Sequence, residues 1–479
     1  MIFTSLTFAI FLGVVFSTYW LLKRRTHQNI ALVAASYFFY GWWDWRFCSL
    51  MIASTLVDYV IAHRIAAQES TRNRRLLLTV SILINFGVLG FFKYFNFFAA
   101  SLQALAQSMG ITLHPITVNV ILPVGISFYT FQSVGYIADV YFRRLEPSRS
   151  LTEYAAFVAF FPQLVAGPIN RATHLLPQFQ QPREFDYDKA VDGCRQILWG
   201  FFKKLAIADR LSPLVDVAYT HPATMSGESL AVATVCFAFQ IYCDFSAYSD
   251  IAIGTARLFG FSVARNFAYP YFSQDLGEFW RRWHISLSSW FRDYLFVPLG
   301  GSRVPRRRQV ANVLTTFTIS GLWHGAGWQF LIWGALNGLA IVPGFFRREG
   351  TRKRVATDVP CAESFLPTPG EAFRIFRTFV IVCITWVFFR ADSVGTAWTI
   401  LERIVVSPFR GEVLREGLST AAVLIALLVA VEWWQRHWPH PLHVEAFPRP
   451  MRWCVYTSMV WVTFAFMRGA ASPFIYFQF

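Results

Sequence analysis

Between Val310 and Phe346 the chain carries no Asp, Glu, Lys or Arg, yet the stretch SGLWHGAGWQF, Ser320 to Phe330, holds the imidazole of His324. Such a side chain in lipid-like surroundings either hydrogen-bonds a neighbouring helix or works on a substrate, because polar groups at membrane depth are costly and often functional. The 37 residues from Val310 to Phe346 would make one helix of about 55 Å against a hydrocarbon core of about 30 Å. The segment must therefore break. Gly321, Gly325 and Gly327 put the break at His324, where non-helical backbone is tolerated only inside protein or beside a water-filled cavity. The sequence thus predicts His324 on a cavity.

A second block, EFWRRWHISLSSWFRDYLFVPLGG, Glu278 to Gly301, alternates aromatic and basic residues. Trp280, Trp283, Leu287, Trp290 and Tyr294 recur at three- and four-residue steps and define one apolar face of an interfacial or re-entrant helix. An aromatic belt with snorkelling arginines accounts for most of these residues. It does not account for His284. On a continuous helix Arg281, His284 and Ser288 share a flank that could meet an anion such as the phosphates of a nucleotide-containing donor.

The third block, QIYCDFSAYSD, Gln240 to Asp250, buries Asp244 and Asp250 in an apolar run. Two carboxylates at that depth must pair or line a polar cavity. Ser246, Tyr248 and Ser249 could satisfy them locally; a proton relay is the alternative.

These blocks need a membrane to hold them. Of 479 residues 55% are hydrophobic and 15% charged, with a mean hydropathy of +0.40, which excludes an ordinary soluble domain. Apolar stretches from Ile2–Leu22 onward predict an all-α polytopic membrane protein with about 11–12 transmembrane helices plus re-entrant or interfacial ones. Ile2–Leu22 lacks a basic leader and a cleavage site and is followed by Lys23, Arg24 and Arg25, so it reads as a retained span. One domain over 1–479 is expected, with core motifs in 122–346 and C-terminal spans and an aromatic tail in 373–479.

The formal charge of +15 falls in loops between apolar runs, a positive-inside pattern and not a nucleic-acid surface. Basic loops at 23–25, 72–75, 303–308 and 347–354, with Arg436, Arg449 and Arg452, place both termini outside. Seven scattered cysteines form no CxxC pair or Cys/His zinc spacing, so no disulfide framework or metal is implied. A transporter or channel would use a broken helix and midplane polar groups equally well.

LPVGISFYTFQSVGYIADVY (122–141), FFPQLVAGPINR (160–171), QIYCDFSAYSDIAIG (240–254), the 278–301 block and GLWHGAGWQFLIWGALNGL (321–339) together resemble the membrane-bound O-acyltransferase family. The likeness is greatest to its bacterial alginate O-acetyltransferase branch. It implies a ring of transmembrane helices around a funnel or tunnel, with His324 as the catalytic histidine at its throat and His284 at a second family position. It implies an acyl thioester as cytoplasmic donor, with acetyl-CoA expected as substrate and no permanently bound cofactor. Arg281, Arg282, Ser288 and Trp323 are the expected donor contacts. Asn337 stands where that branch often has another histidine and is given no catalytic role. The resemblance further implies the bacterial inner membrane, membrane lipid around the protein, and a periplasmic acetyltransferase partner that acts on an exported polysaccharide such as alginate.

The chain closes on SPFIYFQF, Ser472 to Phe479, unusually aromatic for a terminus. It could pack in the interfacial belt. Tyr476 is also similar to the tyrosine of a short terminal motif in a small protein that accompanies teichoic acid D-alanyltransferases. That likeness implies that Phe474, Phe477 and Phe479 anchor the tail while the Tyr476 hydroxyl accepts acetyl near His324.

Overall fold

The computed structural model describes residues 1–114, 117–118, 121–165, 167–346, 359–361, 364–467 and 474–475. Helices make up its regular structure, and among the described residues the one β pairing is the bridge between Met225 and Glu412. Four helices are long and apolar enough to cross a bilayer: Arg46–Ala67, Thr71–Ser108, Gly227–Leu258 and Pro369–Arg390, with Leu6–Leu21 and Leu418–Trp434 as shorter apolar helices. The chain is an all-helical, multi-pass membrane protein.

Several apolar stretches are broken in ways that periodicity does not reveal. The 116–140 stretch becomes helical only at Ile126, after Gly125 in the left-handed region at φ 77°. A side chain at Gly125 would lie 2.6 Å from the Leu164 carbonyl oxygen, so glycine serves both the turn and the contact. The 154–168 stretch splits into Leu151–Ala159 and Phe161–Leu164, with Pro162 in the first turn of the second.

By contacts the chain divides into two compact units: Met1–Ala190 with Thr255–Ala264, and Val191–Gly254 with Arg265–Phe479. In the first, Phe8, Phe11, Phe39 and Phe161 pack with ring centroids 5.3–6.1 Å apart. Its buried Asp58 accepts hydrogen bonds from Ser81 Oγ at 2.6 Å and Asn85 Nδ2 at 3.0 Å.

The second unit holds the residues of the three sequence blocks. Its Gly227–Leu258 helix is 83% buried over its apolar window, against 17% for Thr71–Ser108. Burial all round explains why it is apolar on every face. A side chain at Gly200 would meet the Ala247 oxygen at 2.8 Å, and one at Gly254 would meet the Gly193 oxygen at 2.5 Å. Small residues on both helices thus bring their backbones together and carry Lys203 and Lys204 alongside the Asp244–Asp250 face.

Arg436, in the loop after the Leu418–Trp434 helix, is held inside the protein. It is 1% exposed, and its guanidinium donates to the carbonyls of Trp433, Pro360, Cys361 and Ser364. Five fixed N–H donors suit it to such a clamp.

Candidate active site

His324 is the last residue of the Arg306–His324 helix. Gly325 and Gly327 are extended, and the chain returns through the Trp328–Ile341 helix. The break expected from the glycines is therefore present at that point. The hairpin arms meet at backbone distance: a side chain at Gly321 would lie 2.1 Å from the Phe330 oxygen, and one at Gly334 would lie 2.3 Å from the Phe317 oxygen.

The surroundings of His324 differ from expectation. The residue is 4% exposed, with its ring 5.0 Å from Trp323, 5.1 Å from Trp333 and 5.4 Å from Phe389. It lies in an aromatic enclosure because the returning helix folds Trp333 back over it. A cavity of about 590 Å³ lies nearby, lined by Ser320, one helical turn before His324, but not by His324 or His284. Trp280 lines the cavity and stands 5.6 Å from Trp333, which packs on His324 in turn.

The continuous helix expected over Glu278–Tyr294 is absent. Leu276–Arg282 ends, Trp283 is extended, His284 takes φ 45° and ψ 54°, and Ile285–Phe291 begins. Arg281, Arg282 and Ser288 line the cavity while His284 turns into the interior, 1% exposed. The predicted flank is thereby split. The cause is Asn266. Its backbone oxygen accepts from Ile285 N–H at 2.9 Å, and its side-chain oxygen accepts from Ser286 N–H at 3.3 Å and Ser286 Oγ at 2.9 Å. Left-handed backbone at a non-glycine residue is uncommon and persists where neighbours fix it.

The same Asn266 oxygen lies 3.1 Å from His284 Nδ1. That oxygen can only accept, so Nδ1 carries the proton and Nε2 presents a lone pair, a tautomer assigned from the network. Nε2 has no hydrogen-bond partner among the described residues. Asn266 is itself oriented by donating to Ser249 Oγ at 3.0 Å. The rings of His284 and His324 are 6.4 Å apart, although the residues are 40 positions apart in sequence.

Of the expected donor contacts, Arg281, Arg282 and Ser288 share the cavity with Arg265 and Arg292. Arg282 is also tied to Glu278 at 2.9 Å. Trp323 is 4% exposed and packs against both histidines, 6.0 Å from His284 and 5.0 Å from His324, and is not among the residues lining this cavity. Asn337 donates to the Trp333 oxygen at 2.8 Å within its own helix. Tyr476, Phe477 and Phe479 lie outside the described residues; Phe474 and Ile475 are described and buried.

Asp244 and Asp250 are not satisfied only by local hydroxyls, as the sequence allowed. Asp250 pairs with Lys203 Nζ at 2.7 Å and accepts from Gln196 Nε2 at 2.7 Å; Asp244 pairs with Lys204 Nζ at 2.7 Å. Both lysines come from the 192–208 stretch, where they look like two charges in an apolar run. Asn266, Lys203 and Lys204 gave no periodic signal; two intramembrane lysines opposite two intramembrane carboxylates was the available clue. Among the described residues no group of three His, Cys, Asp or Glu could hold a metal ion.

Fold and site thus define a polytopic helical protein with a buried histidine pair beside an arginine-lined cavity. The membrane-bound O-acyltransferase family model matches residues 143–388. The chain is 40% identical over 402 residues to the probable alginate O-acetylase AlgI of Azotobacter vinelandii, covering 83% of this chain and 77% of that protein. It is 34% identical over 432 residues to the peptidoglycan O-acetyltransferase of Helicobacter pylori, covering 84% and 79%. It is 30% identical over 227 residues to the teichoic acid D-alanyltransferase of Bacillus subtilis, covering 45% and 57%. The chain belongs to the membrane-bound O-acyltransferase family, and it is an O-acyltransferase. The transporter alternative falls with that membership.

Proposed function

We propose that this enzyme takes acetyl from a cytoplasmic thioester, acetyl-CoA, and passes it across the bacterial inner membrane for O-acetylation of an exported polysaccharide. The observation that carries the reading is the approach of His284 and His324 to 6.4 Å in a buried enclosure beside a cavity lined by Arg281, Arg282 and Ser288. The relatives named for alginate and peptidoglycan O-acetylation support the acetyl group and the polymer. A periplasmic partner then delivers acetyl to the glycan, with both termini of this chain outside.

In this mechanism the arginines of the cavity hold the phosphates of the donor by charge-assisted hydrogen bonds. His324 acts as general base. It takes the proton of the attacking hydroxyl as that oxygen bonds to the thioester carbonyl carbon, and the carbon–sulfur bond breaks to release the thiol, which recovers the proton. A neutral imidazole in this role is worth about 10²–10⁴ in rate. His284 supports the same transfer from a tautomer held by Asn266. Trp323 packs against both imidazoles and helps keep them from solvent.

The acceptor hydroxyl is assigned to Tyr476, the residue after the buried Ile475. A thiol ionises near 8.5 and a phenol near 10, so a tyrosyl ester forms from a thioester and still acetylates an alcohol of higher pKa.

The test uses purified enzyme and labelled acetyl-CoA. His324→Ala is expected to abolish release of free CoA, and Tyr476→Phe to abolish label on the protein. Equal CoA release by wild type and His324→Ala removes the base; full polymer acetylation in cells by Tyr476→Phe removes the acceptor.

A further inference from the structure

Asp244 makes one contact that no ion-pair argument requires. One of its oxygens, Oδ1, faces Lys204 Nζ at 2.7 Å, and the same ammonium reaches Asp209 Oδ1 at 2.8 Å; all three side chains are 2–3% exposed. Its other oxygen, Oδ2, accepts the backbone N–H of Ile475 at 2.7 Å, across 231 positions of sequence. A carboxylate fixed by a buried lysine is a strong, directional acceptor for a backbone amide.

The neighbouring residues of the same helix complete the seat. Phe474 is fully buried, with its ring 4.2 Å from Tyr248 and 5.8 Å from Phe245. Phe245 in turn meets His284 edge-on at 4.6 Å. Asp244, Phe245 and Tyr248 fall at i, i+1 and i+4 of the Gly227–Leu258 helix. One residue binds the backbone of the closing segment, and the other two grip its aromatic side chain. Ordering a segment costs conformational entropy, which the charge-assisted hydrogen bond and the two ring contacts offset.

We propose that Asp244, held by Lys204 and Asp209, is the receptor for the Phe474–Ile475 segment and positions it for acyl transfer. Asp244 is a positioning residue: it touches the backbone of the segment and no reacting atom. The proposal rests on the acyl-transfer reading for the use of the segment, but not for its seating.

The seating is tested on the full-length protein in detergent with carboxypeptidase, followed by intact mass. Wild type is expected to be trimmed no further than Ile475, because Ile475 and Phe474 are buried. Asp244→Ala is expected to be trimmed past Phe474, with kcat reduced about tenfold or more on loss of a charge-assisted hydrogen bond and the KM for acetyl-CoA unchanged. Phe474→Ala leaves the ion cluster intact and is expected to give the same trimming pattern, so it decides the matter if Asp244→Ala does not fold. Trimming of Phe474→Ala no further than wild type overturns the seat. Trimming past Phe474 with kcat unchanged overturns the positioning role. Trimming needs no substrate, so it reads the seat even if the acetyl donor is another compound.

Discussion

Gly325→Ala isolates what holds His324 in place. Gly325 has φ −158° and ψ 152°, extended backbone that alanine adopts without strain. Only contact matters. The added Cβ would lie 2.1, 2.4 and 2.6 Å from three carbons of the Phe330 ring. Ordinary carbon–carbon contact is about 3.5–4.0 Å, so the ring must move by more than about 1 Å. It has little room: Phe330 is 5% exposed and stands edge-on to Phe389 at 5.3 Å, and Phe389 packs against His324 at 5.4 Å. Overpacking of this kind costs about 1–3 kcal/mol, and the contact distance places Gly325→Ala near the top, at about 3 kcal/mol. A misplacement of about 1 Å at the base also costs about 10²-fold in rate.

The assay is a double-mutant cycle by SDS unfolding in mixed micelles, with acetyl transfer measured alongside. Truncating Phe330 to alanine has its own cavity cost, which the cycle removes. In that background Gly325→Ala should cost close to nothing. Gly321→Ala is the control, because its clash is with the Phe330 backbone oxygen at 2.1 Å and truncation of the ring leaves it in full. An equal cost for Gly325→Ala in both backgrounds, or a cost below about 0.5 kcal/mol in wild type, refutes the reasoning.

Lys203→Met should lower stability by about 1–3 kcal/mol by removing the cation of Asp250, whose side chain is 15% exposed, and adding Asp250→Asn should return most of it; the same unfolding assay checks both. Asn266→Ala removes the side-chain acceptor of the buried His284 Nδ1–H, at about 1–3 kcal/mol. It should lower kcat about tenfold or more while the KM for acetyl-CoA stays put, whereas an equal rise in KM would make Asn266 a donor-site residue.

The sequence by itself determined the membrane class, the helical fold and the break at His324. These follow from local properties: hydropathy over 479 residues, a run too long for one span, and glycines clustered at a single point. It also carried the two histidine-bearing blocks by which the family could be named. What it could not decide was where side chains point once helices break. His284 leaves the flank of Arg281 and Ser288 because Asn266, 18 positions earlier, captures the two residues that follow it. Lys203 and Lys204 become partners of Asp250 and Asp244 only because glycines let two helices touch, and Arg436 becomes a buried clamp because carbonyls from a distant loop surround it. Local periodicity encodes which face of a helix is apolar. The pairing of isolated polar groups across 40 or more residues depends on chain crossings that tertiary packing alone sets.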